Sequence, residues 1–224
     1  MRRRRFLECE TMLGILCGLG SEKKIASKIR GAIVGCSAAR PQQARELARE
    51  LVAMGATRLM SFGIAGSLDT SVNLGDVFIG SRVASAKGQW MCDEAWGRDL
   101  ANKISHAKRG GVYGSEILVT TVKEKDELYQ NTGCAIVDME SQCVAEVADE
   151  ADLPFMVVRA VCDDSVMNVP PFVMAAIKPD GSISALSALA HLAIHPDQTS
   201  DLFKVIGGTG KALKALRAIK GALA

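Results

Sequence analysis

The 224-residue chain is 48% hydrophobic and 23% charged, a composition that can bury a sizeable core and argues against disorder or a fibrous repeat. Its 27 Lys and Arg against 25 Asp and Glu leave a net charge of +2, with four of the positive charges in the run Arg2 to Arg5. The remaining body carries no basic field and aromatics stand at 4%, which argues against a nucleic-acid partner.

The chain opens on a basic tail, residues 1–11. Arg2–Arg5 followed by the apolar Met12–Gly20 imitates a signal peptide, but Glu8 and Glu10 interrupt the join and no small-x-small cleavage pattern follows. Strands are expected at Leu13–Cys17, Ala32–Cys36, Arg58–Phe62, Val77–Ala84, Val112–Thr121, Ala135–Val137 and Phe155–Val161. Between them, Pro41 opens an amphipathic helix whose Ala44, Leu47, Ala48, Leu51 and Val52 fall on one stripe, and Gly55 closes it. A second helix is expected from about Met139 to Ala151. This alternation implies one α/β domain over residues 12–224, built on a central mixed sheet flanked by helices. Its last part, 166–224, reads as a helical appendage. There the apolar Val169–Ile177, a turn at Lys178-Pro-Asp-Gly181 and an apolar helix at Ile183–Ile194 precede a basic helix from about Ser200. Lys204, Lys211, Lys214, Arg217 and Lys220 on that last helix form either a solvated face or a surface for peripheral contact with anionic lipid.

Seven cysteines, an odd number with no C-x-x-C pair, suit a reducing cytoplasm. No apolar stretch approaches the ~20 residues of a membrane span. Gly18-x-Gly20 lacks the third glycine of a dinucleotide fingerprint, and Gly207-Gly-Thr-Gly-Lys211 lacks the first glycine and the Ser/Thr of a P-loop. His191 and His195, with Asp197 nearby, have no third ligand at motif spacing, so no metal is expected.

Four segments follow strand candidates directly: Gly18-Leu-Gly-Ser-Glu22, Gly63-Ile-Ala-Gly66, Asp138-Met-Glu140 and Cys162-Asp-Asp164. Ligands in open α/β sheets bind outside the carboxyl ends of strands, so these segments can converge on one pocket. The plain alternative is that the carboxylates cap helices and the glycines make turns.

Val137-Asp-Met-Glu-Ser141, Val157-Val-Arg-Ala-Val-Cys-Asp-Asp164 and Ser61-Phe-Gly-Ile-Ala-Gly66 with Leu74-Gly-Asp-Val77 resemble, in order and spacing, the signatures of the purine nucleoside phosphorylase and nucleosidase superfamily. The likeness spans roughly residues 12 to 165. Pro170-Pro-Phe-Val-Met, Lys178-Pro-Asp-Gly181 and His195-Pro196 are similar to its hopanoid-associated phosphorylase branch, also described as adenosylhopane nucleosidase.

The resemblance implies cleavage of an N-glycosidic bond with release of adenine. Asp163 is then the general acid toward purine N7, which near neutral pH calls for a dry pocket that raises its pKa. Glu140 would hold the ribose hydroxyls and balance positive charge developing on the sugar, with Met139 against the sugar face. Leu118, Val119, Ala65 and Gly66 would line the base pocket, with aliphatics where relatives often stack an aromatic. Glu22 would activate water, with Arg159 beside the nucleophile or in a salt bridge, and Gly20, Ser21 and Ile64 around the phosphate or water site. Ile64 supplies no hydroxyl there and the glycine-rich loop carries no second arginine, so hydrolysis is favoured and inorganic phosphate is the alternative co-substrate. No other cofactor is implied. The expected ligand is a nucleoside with an apolar 5′ group, its far end meeting Val169–Ile177. Homodimers are implied by the family alone. A non-catalytic nucleoside-binding protein and a nucleosidase for small 5′-substituted adenosines are the competing readings.

Overall fold

The structure, a computed structural model, describes residues 11–184 and 199–223. The tail before residue 11, most of the helix expected at Ile183–Ile194, and His191, His195 and Asp197 lie outside the described residues.

The chain starts with the motif expected of a buried parallel sheet. All five residues of β1 (Leu13–Cys17) are buried, which is why the strand reads as an apolar run and not as an alternation. It pairs in parallel with β2 (Ala32–Cys36) and with β3 (Arg58–Ser67). The crossovers are α1 (Gly20–Ala26) and α2 (Pro41–Ala53). Pro41 sits at the first helical position, where its missing N–H has no partner to lose. Ala44, Ala48 and Leu51 bury the apolar stripe, and Gly55 stops the helix at a φ of +97°.

β4 (Val77–Ser85), β5 (Gly88–Met91), α3 (Glu94–Lys103), β6 (Lys108–Gly114), α4 (Val122–Thr132), β7 (Cys134–Asp138), α5 (Ser141–Glu150) and β8 (Phe155–Asp163) follow. The strands form one sheet, with β8 parallel to β3 and antiparallel to β4. β4 pairs with β6, β6 with β7, and β7 returns antiparallel to the end of β3. Strands β3, β8, β4, β6 and β7 therefore close a ring, with β1, β2 and β5 outside it. The expected single α/β domain with a mixed sheet and a C-terminal helix is what the chain forms.

Two expectations change. Gly63–Gly66, expected as a loop, lies inside β3, which runs on to Ser67 because β8 pairs with it as far as Gly66. The strand expected at Val112–Thr121 is shifted: β6 starts at Lys108 and ends at Gly114. Ser115 donates its N–H to the Asp138 carbonyl at 2.8 Å, and its hydroxyl then turns back to the Ile117 carbonyl. Residues 115–121 leave the sheet there.

After β8 come a short 3-10 turn (Pro171–Ala176), a bridge between Ile177 and Ile183, and α6 (Thr199–Ile219). Gly207-Gly-Thr-Gly210 lies within α6, and Gly208 explains the run. A Cβ at 208 would stand 1.9 Å from the Cys162 carbonyl oxygen, whereas one at 207 or 210 would meet nothing within 4 Å. The helix thus lies directly on the end of β8.

Replacing a helical glycine by alanine ordinarily stabilises by about 0.5–1 kcal/mol. Gly207→Ala should show that gain in urea unfolding. Gly208→Ala should instead lose about 1–3 kcal/mol, because the clash is with backbone that cannot yield. Equal gains at both positions would mean that α6 does not contact β8 in this way.

Candidate active site

The ends of β1, β3, β7 and β8 open onto one cavity of about 580 Å³. Its walls include Glu22, Glu140 and Asp163 together with Gly18, Ile64, Ala65, Gly66, Leu118 and Met139. Four of the expected residues are placed elsewhere. Val119 packs with Leu68, Cys134 and Val137. Gly20 and Ser21 face a separate cleft of about 680 Å³ whose walls carry Lys24, Lys28, Arg217 and Lys220. Arg159 is fully buried beneath the cavity and not in its wall.

Each carboxylate has a local origin. Glu22, in the first turn of α1, reaches back over the β1–α1 turn. Its Oε2 accepts the N–H groups of Gly18 and Leu19 at 2.8 and 2.7 Å, and its Oε1 accepts the N–H of Ile64 at 2.8 Å. Glu140 stands immediately before α5. That helix starts where it does because Asp138 accepts the Ser141 N–H at 2.9 Å and also the Ser141 hydroxyl. Asp163 ends β8. A register shift there sets Ala65 opposite Val161 but Gly66 opposite Asp163, so Cys162 is bulged and the Asp163 side chain is re-aimed.

Arg159 links them from below. Its Nε lies 2.8 Å from Asp138 Oδ2, and its Nη2 donates to Ser61 Oγ at 2.6 Å and to Glu140 Oε2 at 3.2 Å. Its Nη1 donates to the Ile64 carbonyl at 3.3 Å. One guanidinium facing Asp138, Glu140 and Glu22 cannot neutralise three carboxylates in a dry site, so protons stay in it. Burial, opposed by Arg159 and reinforced by the charges of Asp138 and Glu22, pushes Glu140 up to about 8. Burial also raises Glu22, against the pull of Arg159 and the three backbone N–H groups.

The glycines make this crowding sterically possible. A Cβ at Gly18 would stand 2.7 Å from Glu140 Oε1, one at Gly63 2.6 Å from Glu22 Oε1 and Arg159 Nη1, and one at Gly66 2.8 Å from Asp163 Oδ1. Each is a notch for a charged group, a use of glycine that turn chemistry in the sequence does not reveal.

Asp163 was expected in a dry pocket that raises its pKa. Instead its Oδ1 accepts from the ammonium of Lys125, a fully buried residue of α4. Nothing in the charged run Lys123-Glu-Lys-Asp-Glu127 marks Lys125 as inward-facing. Only the start of its helix is marked, by Thr121-Val-Lys-Glu124, a capping box in which Thr121 Oγ1 accepts the Glu124 N–H and Glu124 accepts the Thr121 N–H.

The far walls are apolar. Val169, Phe172, Val173, Met174 and Ile177 come from the segment after β8, as expected, and Leu202, Phe203, Val205 and Ile206 are added by α6. Among the described residues no group of His, Cys, Asp and Glu could hold a metal ion, and no helix is long and apolar enough to cross a membrane. The six described cysteines are free.

The Glu140 shift has a measurable sign. A carboxyl raised from 4.5 to about 8 binds its proton more tightly in the folded chain. That stabilisation is complete below the unfolded value and is lost as pH rises through the folded one. The Tm should therefore fall between about pH 5 and pH 9, and Glu140→Gln, which cannot ionise, should flatten that decline in a thermal-shift series. An unchanged slope would place the proton elsewhere.

Comparison with known proteins identifies the architecture. A family model described as the phosphorylase superfamily matches residues 30–171. Among solved structures, the 5′-methylthioadenosine/S-adenosylhomocysteine nucleosidase of Helicobacter pylori, held with butyl-thio-DADMe-Immucillin-A, superposes with a TM-score of 0.67 at 14% identity, covering 95% of this chain and 98% of that one. Futalosine hydrolase of the same organism gives 0.65 at 15% identity over 83% and 98% of the two chains. The S-adenosylhomocysteine nucleosidase of Streptococcus pyogenes, in complex with 5-methylthiotubericidin, gives 0.67 at 16% identity over 92% and 94%. With the model spanning most of the ring and its strand-end cavity, the chain belongs to the phosphorylase superfamily and is an enzyme of that class.

Proposed function

We propose that the chain hydrolyses the N-glycosidic bond of an adenine nucleoside bearing a large apolar 5′ substituent, with adenosylhopane in hopanoid side-chain biosynthesis as the substrate. The observation that carries this reading is the division of one cavity into a carboxylate end, Glu22, Glu140 and Asp163, and an apolar end formed by the segment after β8 and by α6.

In this mechanism the proton on Asp163 passes to N7 as the C1′–N9 bond breaks, so adenine leaves neutral. Glu140 accepts hydrogen bonds from the ribose hydroxyls and faces the positive charge that develops on the sugar ring. Water forms the new bond to C1′ and gives its proton to Glu22, whose raised pKa brings it toward the range useful for a base. Met139 and Leu118 bound the sugar and base. Water is favoured over phosphate because the cavity wall carries no Lys or Arg among the described residues, while Gly20 and Ser21 face away from it. Glu22, ionised as the base, would also repel a dianion.

The test is adenine release from adenosines whose 5′ group grows from hydroxyl to methylthio to longer alkyl chains, with and without phosphate. Turnover is expected without phosphate, and kcat/KM should rise by up to about fourfold per buried methylene, from about 0.8 kcal/mol each. Asp163→Asn should abolish release while retaining adenine binding, since the amide keeps hydrogen bonds but gives up no proton. Equal kcat/KM for adenosine and the alkyl analogues would overturn the substrate class. A strict phosphate requirement yielding the sugar 1-phosphate would overturn the nucleophile, and binding without release would favour a nucleoside-binding protein.

The same reading includes a homodimer and peripheral contact with anionic lipid. Lys24 of α1 and Lys28 just after it line the basic cleft with Arg217 and Lys220, and that cleft shares Ile183 with the apolar cavity. Co-sedimentation with anionic but not neutral vesicles is expected, and its absence at low salt would remove the membrane from the reading.

A further inference from the structure

Lys125 is a buried charged group that the proposed reaction does not use. All three N–H bonds of its ammonium go to the end of β8 and the turn beyond: Asp163 Oδ1, the Asp164 carbonyl at 2.6 Å and the Met167 carbonyl at 3.0 Å. The same junction is tied a second time, because the N–H of Val122 donates to Asn168 Oδ1 at 2.9 Å. The start of α4 therefore grips the strand end that carries Asp163.

The pairing restricts where a proton can sit. An ammonium has donors and no acceptor, so an acid proton cannot occupy the oxygen that faces it. On Asp163 that leaves Oδ2, which lies 3.2 Å from Cys162 Sγ. A cation against a carboxyl group also favours the ionised form and so makes the acid a readier donor.

We propose that Lys125 is the positioning residue of Asp163: it holds the carboxyl group over Gly66 and, as the cation against Oδ1, confines the transferable proton to Oδ2. This rests on the reading of Asp163 as the general acid. The other ionisable groups facing the site are the Cys162 thiol on β8, Glu22 from α1, and Asp138 and Glu140 from the end of β7. β3 presents Gly66 and α6 presents Thr209, neither of them charged. Lys125 is thus the cation bonded directly to Asp163 among the described residues.

The test uses the full chain labelled with ¹³C and ¹⁵N, with the Asp163 carboxyl signal identified by its loss in Asp163→Asn. In Lys125→Gln, which keeps donors for the two carbonyls but no charge, the Asp163 titration midpoint should move upward. In Lys125→Arg it should stay near the wild-type value. The alkaline limb of kcat/KM for adenine release should move upward by the same amount in Lys125→Gln, with kcat reduced on the order of tenfold. In the wild-type chain the Lys125 ¹⁵Nζ signal should follow the Asp163 midpoint and lose that step in Asp163→Asn, a readout available even if Lys125→Gln does not fold. A folded Lys125→Gln whose midpoint and limb stay in place, even with a lower Tm, would reduce Lys125 to a structural role and overturn the proposal. So would a wild-type Lys125 signal without the Asp163 step. A coupled Lys125–Asp163 titration in a chain that releases no adenine would instead sink the proposed reaction and leave the coupling standing.

Discussion

Arg159 lies under the polar end of the cavity, with Asp138, Glu140 and Glu22 around it and the backbone of β3 above. Its side chain ties three elements at once: β8, which bears it, β3 through Ser61 and the Ile64 carbonyl, and the β7–α5 junction through Asp138 and Glu140. Removing one partner from a buried ion pair typically costs about 3–5 kcal/mol, because the charge left behind has no water to turn to. Here the charges left behind would be the carboxylates of the cavity itself. The stability of the strand ends and the electrostatics of the site are therefore set by the same guanidinium.

The two ends of the cavity reinforce each other physically. The apolar side chains of the 3-10 segment and α6 line the cavity with the buried carboxylate end, where low dielectric strengthens each interaction. Burial that disfavours the charged form is why Glu140 rises well out of the ordinary carboxylate range while lying 3.2 Å from a guanidinium. A long apolar ligand would complete the enclosure that protein side chains begin.

Much of this was legible in the sequence, and its failures have physical reasons. The ends of β1, β7 and β8 show up because their apolar runs give way to short polar or glycine-bearing segments that carry Glu22, Glu140 and Asp163, and these three residues do converge. Gly20, Ser21 and Val119 were misplaced although each is next to a residue that lines the cavity: neighbours at a helix start or along a loop point to different sides, and a motif specifies the segment and not the side. Lys125 was invisible because a lysine within a charged run reads as solvated, and its burial comes from a contact 38 residues away. The α6 wall was missed for the same kind of reason. Its apolar residues sit on a helix whose solvent face is basic, and only the seating of Gly208 on β8 turns Leu202 and Ile206 toward the cavity.

The notches at Gly18, Gly63 and Gly66 bear on how such a site can change over evolutionary time. Every single-nucleotide substitution that alters a glycine codon encodes either a residue with a Cβ or a stop. At these positions that atom would enter the space of Glu140, Glu22 with Arg159, or Asp163. The carboxylates themselves can drift to their amides or to one another by small steps, whereas a Cβ at any of the three glycines forces the facing polar group to shift. Descendants of this chain that lose the chemistry should thus be recognisable by their glycines before their acids, and sorting homologues by residues 18, 63 and 66 would separate those that keep the carboxylate cluster from those that keep only the fold.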